Sequence, residues 1–281
     1  MVKSLQIALF GIRKWLSNPR MYLVFLMLAV FEWTLVQDVR AYAVSVGMSI
    51  SCWYFPFLFV NGINCLFYYL TLILMYCNAP YVDEHQIYVM LRSGRTDWFA
   101  GQILYTVFAS FLFFGWMALL SVLEFVPYVG FSSEWESVLW KLAQNPRAYG
   151  NGSYVNVPYK ILQNYTPAQA FLLCFAINVG LGILFGLLIF YINLWKSRGY
   201  GAAAVLGWVG FSDIVGGLFG VRDWMIIFAP TLWTDLGYYC ERFSRISLPF
   251  VWTFILMGIV LLSILIMMRS RKYTVESLEE I

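Results

Sequence analysis

The chain is poor in charge. Only 12% of its 281 residues are Asp, Glu, Lys or Arg, while 61% are hydrophobic. Soluble domains carry about 25% charged residues. Packing alone cannot hide this much apolar surface from water, so the composition makes the bilayer the solvent. The formal net charge of +3 does not indicate a nucleic-acid partner. Histidine is scarcer still: His85 is the single one. A multi-histidine metal site within one chain is therefore impossible, and His85 reads as a solvated loop residue rather than a ligand or proton relay. The five cysteines, Cys52, Cys65, Cys77, Cys174 and Cys240, are odd in number and at least three lie in apolar runs. They read as small buried hydrophobes, not a disulfide framework. CxxC, HExxH and GxxxxGK[ST] are all missing, so the chain has no such route to a zinc site or a nucleotide cradle. Nor is there an internal repeat, or a small-residue cleavage site after a short apolar core, as a secretory signal would need.

What the chain has is long hydrophobic runs. A spanning helix needs about 20 mostly apolar residues, and six stretches qualify: Met21 to Val36, Cys52 to Cys77, Phe99 to Phe125, Pro167 to Leu194, Gly201 to Phe219 and Pro249 to Met268. The expected fold class is all-α, a polytopic membrane protein forming a single transmembrane domain over 1–281. Lys and Arg concentrate in cytoplasmic loops. With the N-terminus inside, the inner segments hold Lys3, Arg13, Lys14, Arg20, Arg92, Arg95, Lys196, Arg198, Arg269, Arg271 and Lys272. The outer segments hold Arg40, Lys141, Arg147, Lys160, Arg222, Arg242 and Arg245, a ratio of eleven to seven. Both termini then lie in the cytoplasm.

Residues 1–18 alternate Leu5, Ile7, Ala8, Ile12, Trp15 and Leu16 with Lys3, Gln6, Arg13 and Lys14. This pattern predicts an amphipathic helix lying in the interface, its cations near anionic head groups. The outer segment 126–166 carries Ser133 and Glu136 at capping-box spacing. After it, Trp135, Val138, Leu139 and Leu142 predict a short amphipathic helix on the outer surface. Two tripeptides, Asn151-Gly-Ser153 and Asn164-Tyr-Thr166, match the glycosylation pattern and read as chance matches. In segment 220–248, WMIIFAPTLW is too short to cross and too apolar to float. Pro230 splits it, which predicts a re-entrant pair of half-helices with backbone groups buried in protein.

The remaining polar residues are the functional candidates. Glu32 lies about twelve residues into the first run, toward its outer end, and Asp213 lies in the fifth. Intramembrane acids are costly and are site candidates by default; the competing reading is that both are hydrated at the outer interface. Gly182 with Gly186, and Gly216 with Gly220, have the small-xxx-small spacing that lets helices approach, either within the chain or across a dimer. The densest polar cluster is VDEHQIYVMLRSGRTDWFAGQ, residues 82–102, in the cytoplasmic loop 78–98. Ile87, Met90 and Leu91 have helical spacing. Asp83 and Glu84 stand where a helix start favours acids, and Arg92 where its end favours a cation. Ser93-Gly94 terminates the helix, and Thr96-Asp97 caps the next span. A short, capped, charged helix held between two spans is a docking surface, with Asp83, Glu84, Arg92 and Arg95 as its candidate residues.

Taken together, the amphipathic N-terminal segment, six spans with both termini inside, LRSGRTDWFAGQIL leading into the third span and FAPTLW after the fifth resemble the membrane subunit of ABC-2-type ABC transporters. The resemblance implies that loop 78–98 carries a coupling helix seated on a cytosolic ATPase, with Asp83, Glu84, Arg92 and Arg95 facing it. It also implies that two permease subunits, identical or not, pair with two ATPases. ATP is bound by the partner, so this chain needs no cofactor or metal and has no catalytic residue. The implied function is export of an amphipathic, peptide or lipid-like substrate across a bacterial cytoplasmic membrane. A non-transporting immunity or sensor subunit shares this layout. An ion-coupled transporter would want more intramembrane polar groups, and a lipid-acting enzyme would need converging catalytic side chains.

Overall fold

The computed structural model describes residues 2–81, 84–145, 156–217, 225–240 and 246–271. It is all-α. Ten α-helices occur among the described residues, with a two-residue parallel pairing of β1 (Ile50–Ser51) and β2 (Val129–Gly130). Four helices are long and apolar enough to cross a membrane: α2 (Pro19–Val46), α5 (Arg95–Leu123), α8 (Pro167–Asn193) and α10 (Leu248–Ser270). Two shorter apolar helices, α3 (Gly62–Tyr76) and α9 (Tyr200–Gly217), pack among them. The remaining helices are α1 (Val2–Arg13), α4 (Glu84–Ser93), α6 (Ser137–Gln144) and α7 (Tyr159–Asn164).

Local chemistry sets the helix ends. α2 starts where Asn18 accepts the Arg20 N–H and Pro19 fills the first position; it stops at Gly47, whose φ is 68°. α8 opens on a reciprocal capping box of Thr166 and Gln169, again with Pro at its start. The Thr of the second glycosylation-like tripeptide is thus a helix cap, and Asn164 donates to the Lys160 carbonyl. Polar caps satisfy orphan N–H groups, and proline lacks the N–H that would otherwise be orphaned.

Several boundaries differ from expectation. The run Cys52 to Cys77 is not one helix: a 3-10 turn at Phe55–Phe59 precedes α3, because Pro56 and the Asn61 cap interrupt the run. α2 continues to Val46, which leaves Glu32 mid-helix rather than toward an end. α5 begins at Arg95, so Thr96 and Asp97 lie inside its first turn and Gly94 occupies the boundary. The Ser133–Glu136 capping box does not form. Instead Ser132 Oγ takes the Glu134 N–H in a tight turn, and α6 starts without a side-chain cap. After α9, the described residues form three 3-10 turns, Ile226–Phe228, Pro230–Thr234 and Leu236–Cys240, rather than two half-helices. Pro230 has no N–H to continue a helix. Trp233 is buried, and Thr234 reaches Cys65 of α3 and Cys174 of α8, so these turns are packed into protein.

α8 is the central helix. A Cβ on Gly182 would fall 2.9 Å from Phe114, and one on Gly186 would fall 2.5 Å from Thr106 and 3.1 Å from Tyr76. This glycine pair therefore serves packing of α8 against α5 and α3 within the chain. Gly216 lies at the end of α9, and Gly220 is outside the described residues. None of the five cysteines is in a disulfide among the described residues.

The bundle has two chemically distinct ends. At one, α1 docks on the start of α5, Arg20 donates to the Leu74 carbonyl and at 2.7 Å to Cys77 Sγ, and Arg269 stacks on Trp195 at 4.2 Å. That end gathers Lys14, Arg20, Arg92, Arg95, Lys196 and Arg198. At the other, Arg40 donates to the Val126 carbonyl at 3.2 Å, Trp53 to that of Ser132 at 3.0 Å and Trp135 to that of Tyr165 at 2.8 Å. α6 buries Val138, Leu139 and Leu142. Trp135 is buried too, so this tryptophan packs in protein.

Candidate functional site

Of the candidates in loop 78–98, Arg92 and Arg95 stand at the end of α4 and the start of α5. The helix ends as Gly94 donates to the Met90 carbonyl at 2.9 Å with φ at 97°, a conformation that glycine adopts without strain. Met90 and Trp98 are buried and tie α4 to α5. Across the helix, Tyr88 is 72% exposed and Leu91 64% exposed. Beside them stand Arg92 and Arg95, both exposed. Leu91, which shares helical spacing with Ile87 and Met90, points outward. Asp83 lies outside the described residues, as do the side chains of Glu84, His85 and Ile87. Tyr88 was missed by the charge-based reading. Its spacing to Leu91 and Arg92, i to i+3 and i+4, was the available signal of one helical face.

This surface has rigid backing. Ser4 Oγ donates to Asp97 at 3.3 Å, Trp15 Nε1 donates to Tyr105 OH at 2.8 Å, and a Cβ on Gly101 would fall 2.7 Å from Ile7. Gly101 and Trp98 thus carry the docking of α1 and α4 on α5. Between α1 and α4 lies a groove of about 530 Å³, with Lys3, Phe10, Val89 and Arg92 on its walls. On the far side of the loop, buried Asn193 fastens three segments. It donates to the carbonyls of Cys77 at 3.2 Å and Ala79 at 2.6 Å, and accepts the Gly201 N–H at 2.8 Å. Tyr81, in the same loop, donates to the Met75 carbonyl at 2.7 Å. Burial holds its phenol well above the ordinary tyrosine range, so it remains neutral.

Glu32 and Asp213, the two acids of the apolar runs, are not brought together. Glu32 is fully buried where α2 meets α3 and α5, and neither carboxylate oxygen has a hydrogen-bond partner among the described residues. The hydrated reading fails for this residue. Its electrostatic neighbours include Glu124 and Tyr68, whose buried phenol likewise has no hydrogen-bond partner among the described residues. Asp213 is half-buried on α9, with Oδ1 2.7 Å from where a Cβ on Gly62 would sit. Its carboxylate lies against the first residue of α3, where the helix dipole favours an anion. No group of His, Cys, Asp and Glu among the described residues could hold a metal ion. Comparison with family models, with curated proteins and with solved structures finds no match.

Proposed function

We propose that this chain is the membrane-spanning subunit of an ATP-driven exporter of the ABC-2 type, taking its energy from a separate cytosolic ATPase. The observation that carries the proposal is the outward face of α4. A capped helix, backed by α5, presents Tyr88 and Leu91 next to Arg92 and Arg95. Aromatic and arginine side chains are the usual energetic centres of protein interfaces. A solvated connecting loop needs no exposed aromatic of this kind.

In this reading the chain crosses six times. α2, α5, α8 and α10 are joined by α3 and α9. At 1.5 Å per residue, the 15 residues of α3 reach about 22 Å, and the 3-10 turn before it makes up part of the remaining depth. The cationic end faces the cytoplasm, as the positive-inside rule requires, and both termini lie there. α1 lies along the inner leaflet, and the 3-10 turns at 226–240 close the outer side as a re-entrant segment. A second permease subunit completes the pathway. ATP binding moves the ATPases, α4 transmits that motion, and the packed helices switch between two arrangements. The substrate is an amphipathic, peptide or lipid-like molecule, and this chain makes and breaks no bonds itself.

Affinity purification from the source cells tests the proposal. An ATPase with Walker A and signature motifs should co-purify, and Arg95→Glu or Tyr88→Ala should cut its recovery at least tenfold while the protein still inserts. Absence of such an ATPase, or recovery unchanged in both variants, overturns it. Glu32 favours a second reading, an ion-coupled transporter, since buried acids mark ion pathways; transport that persists without any ATPase would select it.

A further inference from the structure

The groove of about 530 Å³ between α1 and α4 is both apolar and positively charged. Ile7, Phe10 and Val89 make it apolar, and Phe10 is 43% exposed. Lys3 and Arg92, both exposed, make it positive. No acid is among its lining residues, and neither cation is ion-paired among the described residues. Complementary charge selects the partner of such a surface. The groove therefore suits a segment that carries aliphatic and acidic side chains together.

One such segment belongs to this chain. After Arg271 the sequence reads KYTVESLEEI, residues 272–281, which lie outside the described residues. Glu276, Glu279 and Glu280 fall within five residues there, the densest acidic run in a chain of net charge +3. Val275, Leu278 and Ile281 recur at every third position beside them. The root of this segment is close to the groove. Arg271 and Thr96 line one cavity where the end of α10 meets the start of α5. Thr96 is three positions beyond Ser93, which lines the groove, and three residues span at most about 11 Å. Ten residues span at most about 36 Å, so segment 272–281 reaches the groove with residues to spare. A segment tethered this close is present at millimolar effective concentration.

We propose that the groove between α1 and α4 is the docking site of the chain's own segment 272–281, with Glu276, Glu279 and Glu280 set against Lys3 and Arg92. Arg92 also belongs to the outward face of α4. A seated segment and a cytosolic partner of that face therefore exclude one another, and release of the segment becomes a control point. That consequence rests on the exporter reading; the docking itself does not.

The test places photoreactive benzoylphenylalanine at position 10 of the full chain, purified in detergent. After illumination and trypsin digestion, mass spectrometry should find the probe joined to YTVESLEEI, the peptide released after Lys272. The same probe at Leu16, exposed but outside the groove, should give at least tenfold less. E276Q/E279Q/E280Q and, separately, K3Q/R92Q should each cut the cross-link at least fivefold, with elution volume unchanged as the check on folding. The cross-link is read on this chain alone, so its outcome is independent of any ATPase. Equal yields from positions 10 and 16, or yields unchanged in both charge variants, overturn the proposal. A cross-link that joins an isotope-labelled chain to an unlabelled one also overturns it and gives the groove to a second copy. Loss of the cross-link in phosphatidylglycerol nanodiscs but not in phosphatidylcholine ones overturns it too, and gives the groove to a lipid head group.

Discussion

Individual side chains do work that their residue type did not announce. Asn193 looks like one polar residue near the end of an apolar run. In the folded chain it is fully buried and joins the exit of α3 to the start of α9 through three backbone groups. A buried polar group left unpaired costs about 1–3 kcal/mol. Asn193→Leu should therefore destabilise the protein by several kcal/mol, read as a large fall in thermal midpoint in detergent; a midpoint within a degree of wild type would contradict the assigned role. Glu32 is the opposite case. Its acidity in an apolar run was legible, but its burial was not, because the hydrated reading took it to lie toward the end of a shorter helix. Its neighbours come from α3 and the end of α5, and no sequence distance reveals that Tyr68 and Glu124 share its surroundings.

Helices follow their local chemistry more closely. Asn18-Pro19, Thr166-Pro167 and Ser247 before Pro249 each begin a long helix where a polar cap and a nearby proline stand. The amphipathic pattern of the first 18 residues is realised as α1 followed by a 3-10 turn at Lys14–Ser17. What α1 packs on was not legible. Its Ile7 and Ala8 are buried against α5, with Gly101 providing the space, while Leu5, Leu9 and Phe10 stay exposed as a second apolar surface. Overpacking a tight contact costs about 1–3 kcal/mol. Gly101→Val places a branched side chain against Ile7 and the Ser4 carbonyl, so it should loosen α1. Limited proteolysis would then cut after Lys14 at least several times faster than in wild type. An unchanged cleavage rate would show that the contact yields without cost. The α4 segment was legible as a helix with a glycine stop. The face it presents was half-legible, since the charged pair stood out and exposed Tyr88 and Leu91 did not.

At the scale of the whole molecule, the segregation of cations makes the clearest prediction. In a cysteine-free background, a membrane-impermeant thiol reagent should label Arg92→Cys and Lys196→Cys only from the cytoplasmic side, and Ser133→Cys and Lys160→Cys only from outside. Labelling of Ser133→Cys and Lys196→Cys from the same side would overturn the six-crossing arrangement. By itself the sequence determined the solvent, the helical class, most helix ends and the end that carries the positive charge. Those follow from composition, cap residues and local spacing, all of which act over a few neighbouring residues. Only the tertiary structure decided that Gly182 and Gly186 serve packing inside one chain, that Glu32 is sealed from water, and that Lys14, Arg20 and Arg198 meet around one cavity. Each of these depends on which segments lie beside one another, a choice made by close packing of side chains far apart in the chain.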